Sequence, residues 1–98
     1  MFVGTLKVEV IIPGSKSLKD KRKVIQSLQN KIKAKFNVSI AEIDHQDKWQ
    51  RAVIGLCFVN SAKKEIENIS QKIREIFTEN GDILVLNELN EIFYIGEK

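Results

Sequence analysis

Along its first twelve residues the chain alternates. Leu6, Val8, Val10 and Ile12 fall on one side of an extended backbone and Thr5, Lys7 and Glu9 on the other, the period of a strand covered on one face. Pro13-Gly14-Ser15-Lys16 breaks that period, and a helical one follows. From Ser17 to Lys35, at about 100° per residue, Leu18, Val24, Ile25, Leu28 and Ile32 form an apolar stripe, with Lys19, Lys23, Gln26, Asn30 and Lys33 opposite. Ser17 is a good N-cap, and Asp20 three residues on completes a capping-box-like pair that also suits the helix dipole. Lys21 breaks the pattern, because it falls between Ile25 and Leu28 on the stripe. Its stem is expected in the packing face and its ammonium against an acid, with Glu9, Glu42 and Asp44 as candidates.

The period returns to two at Phe36, where Phe36, Val38 and Ile40 alternate with Asn37 and Ser39 before Ala41 and Ile43 take over the apolar phase. The phase change predicts a bulge near Ile40 to Glu42 or a strand covered on both faces. Asp47-Lys48 reads as the tip of a hairpin. In that register Asp44 opposes Arg51 as an opposite-charge pair, Ile43 opposes Ala52 and Ala41 opposes Ile54. The following strand, Trp49 to Asn60, is apolar on both faces and belongs in the middle of a sheet. Ser61 is expected to cap a second helix in which Ala62, Ile66, Ile69, Ile73, Ile76 and Phe77 keep helical spacing, ended at Asn80-Gly81 by a residue tolerant of positive φ. Ile83 to Leu86 and Ile92 to Ile95 form a last strand, with an interruption expected at Asn87 to Asn90.

The order is βαββαβ. Two right-handed crossovers and one hairpin give an α+β, ferredoxin-like sandwich: a four-stranded antiparallel sheet with the first and third strands central and both helices on one face. Ninety-eight residues suffice for one such domain, 1–98, with one core and no need of metals or disulfides.

Composition narrows the setting. Cys57 is the one cysteine, so no intramolecular disulfide forms and a reducing compartment fits. The longest apolar run, Val53 to Val59, is far short of a membrane span, and the immediate strand pattern at the N-terminus does not resemble a secretion signal. A cytoplasmic protein is expected. The net charge of +3 conceals a gradient: residues 16–35 hold eight basic side chains against Asp20 alone, net +7, whereas residues 61–98 come to −3. A cationic edge of this kind suits a polyanion, although solvated surface helices also carry such charge.

Three stretches in order, Ser17-Leu18-Lys19-Asp20-Lys21-Arg22, Phe36-Asn37-Val38-Ser39-Ile40-Ala41-Glu42, and Trp49-Gln50-Arg51-Ala52 with Gly55, resemble the YlxP-like family of small uncharacterised bacterial proteins. The resemblance implies a domain of unknown function with a ferredoxin-like fold. The family's genes often sit among those for transcription termination, translation initiation and ribosome maturation, which implies an RNA- or ribosome-linked role. It brings no catalytic residues.

Of the candidate sites, the first is the helix itself. Lys16, Lys19, Arg22, Lys23 and Lys33 would touch phosphates without reading bases. The start of that helix, where Gly14 and Ser15 precede free N–H groups, is a candidate anion site, with an ordinary capped turn as the competing reading. The open sheet face offers no aromatic pair on its central strands, so the stacking mode of RNA-recognition motifs is not expected. Its Val3, Ile11, Val53, Cys57 and Val59 point instead to a homo-dimer through the sheet. Glu42, Asp44, His45 and Asp47 bring carboxylates near a histidine, yet Asp44 and His45 are neighbours in a strand and point to opposite faces. No metal, cofactor or catalytic set is expected. The sequence therefore suggests a non-enzymatic module contacting structured RNA or a ribosomal assembly intermediate. The alternative is a homo-oligomeric protein-interaction module with no nucleic-acid role.

Overall fold

A computed structural model describes residues 1–96. The chain runs β1 (Phe2–Ile11), α1 (Leu18–Lys35), β2 (Ser39–Asp44), β3 (Arg51–Asn60), α2 (Lys63–Glu79) and β4 (Leu84–Tyr94). The strands form one antiparallel sheet in the order β2-β3-β1-β4, and both helices pack on one side of it, the ferredoxin-like sandwich. The two strands with the strongest apolar signal, β1 and β3, are the central pair. Their inward residues, among them Leu6, Val8, Val10, Ile54, Leu56 and Phe58, meet Ile25, Leu28 and Ile32 of α1 and Ile66, Ile73 and Phe77 of α2. Each such side chain contributes roughly 1.5–3 kcal/mol by leaving water.

The layers approach closely at Gly4. A Cβ there would sit 2.5 Å from the Phe58 ring and 2.7 Å from Ile66, so this strand position excludes any side chain. On α1 the buried stripe is narrower than the periodicity suggests: Lys21, Ile25, Leu28 and Ile32 are buried, while Leu18 and Val24 are only half-buried. No helix among the described residues is long and apolar enough to cross a membrane.

Six local expectations are corrected. The β2–β3 connection is not a two-residue tip. Ala41 opposes Gly55, Glu42 opposes Ile54, and after a register shift Asp44 opposes Val53, so the loop spans 45–50. Lys48 N–H donates to the His45 carbonyl at 3.0 Å, and His45 itself takes a positive φ of 61°. The bulged residue is Ile43, one place beyond the expected bulge, and its side chain lies over Gly55.

Asp44 and Arg51 consequently do not pair. Arg51 Nε donates to Glu9 Oε2 at 3.1 Å, and the Asp44 carboxylate accepts the N–H of His45 at 2.8 Å. The cause is tertiary, because the ammonium of Lys21 gathers the carbonyls of His45, Gln46 and Arg51 and draws the loop toward the helix layer.

Ser61 does not cap α2. Ala62 holds the N-cap position without a side-chain bond, and Asn60 Oδ1 accepts the Ala62 N–H at 2.9 Å. At the other end Gly81 has no positive φ. Asn80 leaves the helix in an extended conformation, and its Oδ1 accepts the N–H of Asp82 at 2.8 Å.

Last, β4 is continuous through Asn87–Asn90, with a register shift that leaves Leu86 without a partner on β1. The polar run that looked like a break is an edge strand facing polar groups on α2. Asn90 Nδ2 donates to Ser70 Oγ at 3.2 Å and to the Thr5 carbonyl at 3.0 Å, and Arg74 pairs with Glu88.

Candidate functional site: the basic face of the first helix

The turn before α1 satisfies its own polar groups. Ser17 Oγ accepts the Asp20 N–H at 3.0 Å, Asp20 Oδ2 accepts the Lys16 N–H at 2.9 Å, and Ser15 Oγ donates to the Ser17 carbonyl at 3.0 Å. The N–H groups of Lys16 and Asp20, and that of Ser15, which donates to the Ile12 carbonyl, are thus committed within the turn, with the Asp20 carboxylate beside them. Lys16 projects from this turn as an exposed cation.

Beyond the turn, Lys19, Arg22, Lys23 and Lys33 are all exposed. Helical geometry gathers them within an arc of about 100° along roughly 21 Å of axis. Among the described residues the ion pairs are Lys21–Glu42, Arg51–Glu9, His45–Glu9 and Arg74–Glu88, so Lys16, Lys19, Arg22, Lys23 and Lys33 have no carboxylate within ion-pair distance. A shallow groove of about 770 Å³ is lined by Lys19, Arg22, Lys23, Gln26 and Asn30 together with Glu42. That single carboxylate is already held by Lys21 at 2.7 Å, which leaves the groove strongly positive. Lys33 lies outside the groove, at the C-terminal end of α1 with Phe36, Asn37 and Val38.

Lys21 belongs to a different system. It is 1% exposed, and its Nζ reaches Glu42 Oε2 at 2.7 Å and the carbonyls of His45 at 2.8 Å, Arg51 at 3.2 Å and Gln46 at 3.3 Å. The ammonium is buried because four oxygens replace water around it. A second tie joins the same loops: Gln50 Nε2 donates to the carbonyls of Pro13 and Ser15 at 3.2 and 2.9 Å. The start of the basic helix and the β2–β3 loop are therefore tied together at two points.

Around the hairpin, His45 Nε2 lies 3.6 Å from Glu9 Oε2, Asp44 turns its carboxylate to backbone, and Asp47 is exposed in the loop. Among the described residues no three His, Cys, Asp or Glu side chains are placed to hold a metal ion. The outward residues of the central strands include Thr5, Lys7 and Glu9 on β1 and Val53, Gly55 and Cys57 on β3, with no aromatic on which a base could stack. The arrangement offers point charges to phosphates and little else. The ion pair of Arg51 with Glu9 went unpredicted, although both residues fall on the outward positions of neighbouring strands, a signal legible in the alternation.

Residues 3–89 match the family described as Protein of unknown function (DUF503). The chain is 39% identical over 72 residues to the uncharacterized protein YlxP of Bacillus subtilis (strain 168), a stretch covering 74% of this chain and 78% of that protein. Two de novo designed proteins are similar to it in fold. LFR1 1, described as having a ferredoxin fold, has a TM-score of 0.54 at 8% identity, over 100% of this chain and 91% of its own. Foldit4 has a TM-score of 0.54 at 14% identity, over 98% of this chain and 100% of its own. At such identities the likeness is one of fold alone.

Proposed function

The chain belongs to the YlxP-like family of unknown function (DUF503), and since that family brings no assigned reaction we propose a role from the chain's own surface: a non-enzymatic cytoplasmic module that docks on structured RNA, free or in a ribosomal assembly intermediate, through α1. The observation that carries this reading is the row of exposed cations on α1 without intramolecular partners. A surface helix used only for solubility more often intersperses both signs, so that its charges answer one another. Here Lys19, Arg22, Lys23 and Lys33 share one arc, and the acids that could neutralise them are engaged elsewhere or on other elements.

Contacts of this type are sequence-independent and release counterions, so binding should weaken steeply as salt rises. The test is a polarisation titration of a labelled structured RNA against the wild type and a Lys19→Glu, Lys23→Glu, Lys33→Glu triple variant. The wild type should bind at low salt, and the folded triple variant should bind far more weakly. Absence of binding at low salt, or equal binding by the triple variant, would refute the reading.

A further inference from the structure

The sheet face turned away from the helices is more apolar than a solvated face should be. Across β3, β1 and β4 the register sets Val59, Val3 and Phe93 side by side at one end, and Ile11 beside Leu84 at the other. Ile43, Val59, Leu84, Leu86, Leu89 and Phe93 are each between 46% and 59% exposed. Single exposed apolar residues are ordinary, but apolar clusters at both ends of one face, with Leu89 between them among charged residues, mark an interaction surface. The edge strand sharpens the point. β4 turns Glu88 and Asn90 toward α2 and Leu89 and Phe93 toward the open side, the reverse of what water on that side would favour.

We infer that a second copy of the chain covers this face, in a two-fold dimer whose sheets stack one on the other. The size is right. Four strands about 19 Å across and 34 Å long give roughly 600 Å² before side-chain relief is added, against roughly 800 Å² per partner in a standard stable interface. The charge is right as well. Lys7 and Arg51 nearly balance Glu9, Asp44 and Glu91, so like faces meet with little net charge, whereas two copies of the basic α1 face would bring several unpaired cations together.

Within one copy Arg51 already answers Glu9, while Lys7 and Glu91 are exposed and have no ion-pair partner among the described residues. Lys7 lies on the central strand β1 and Glu91 on the edge strand β4 opposite Thr5, a cation and an anion on one self-facing surface. A two-fold axis then lets Lys7 of each copy meet Glu91 of the other, two ion pairs in all. Because α1 packs on the other side of the sheet, the dimer leaves both basic faces outward and stands or falls independently of RNA binding.

Sedimentation equilibrium of the full chain should give twice 11.2 kDa. Leu89→Asp should give a folded monomer, with folding verified by its circular dichroism. Lys7→Glu should raise the dimer dissociation constant about tenfold or more by setting like charges together, and adding Glu91→Lys should reverse that loss. Cys57, exposed on the same face, provides a second readout: its reaction with a thiol reagent should be slow in the dimer and fast in the Leu89→Asp monomer. A wild type that stays monomeric at every concentration would overturn the inference. So would a dimer indifferent to Leu89→Asp, since that dimer would use another surface, and failure of the double charge swap to restore association would overturn the assigned pairing.

Discussion

Lys21 Nζ lies 2.7 Å from Glu42 Oε2, and through that contact the first turn of α1 holds the end of β2 and the loop that follows it. The lysine is 1% exposed and the glutamate side chain 19%, so the two ends of the pair are not equivalent. Removing the ammonium strands three loop carbonyls and a carboxylate that water reaches only in part. Removing the carboxylate's charge leaves an amide oxygen able to accept the same hydrogen bond, but it leaves the buried ammonium without its counter-charge. Lys21→Met and Glu42→Gln should therefore each cost about 3 kcal/mol in urea unfolding. A loss below about 1 kcal/mol for Glu42→Gln would show that the three carbonyls alone suffice to hold the ammonium.

His45 stands at φ 61°, in the left-handed region that costs an L residue roughly 1–2 kcal/mol. The Lys21 ammonium on its carbonyl holds the loop in this path, and its imidazole only approaches Glu9, at 3.6 Å. His45→Gly should raise stability by about 0.5–1 kcal/mol once the greater freedom of an unfolded glycine is subtracted. A clear loss of stability would mean that the imidazole contact outweighs the backbone strain.

The same two residues explain how much of the fold could be read in the chain. β1, β3 and α1 announced themselves because their inward positions are apolar at the period of the element, and an order of elements with a central pair followed from that. The hairpin register did not follow, since it is set by an ammonium more than twenty residues away in sequence, and local turn rules carry no knowledge of such a bond. β4 was misread as interrupted for a similar reason: Glu88 and Asn90 face inward as polar residues, answered by Arg74 and Ser70 on α2.

The α1 cations were legible on a helical wheel. Their want of partners was not, because it depends on Glu42 having been taken by Lys21 and Glu9 by Arg51 and His45.

That allocation of acids yields a quantitative expectation for salt dependence. With four or five cations of α1 and its preceding turn seated on phosphates, log Kd should rise with log salt at a slope of about 3 to 4. Over a fourfold increase in ionic strength this is a loss of roughly a hundredfold in affinity. Substituting Lys19 or Lys23 singly by Gln should lower the slope by about 0.7–0.9, because each seated cation releases a similar count of counterions. Lys21→Gln should instead leave the slope unchanged, since its ammonium is buried against protein oxygens and displaces no counterion from the nucleic acid. Polarisation titrations across a salt series measure all three, and a slope that falls equally for Lys21 and Lys19 would mean that the buried lysine is within reach of phosphate.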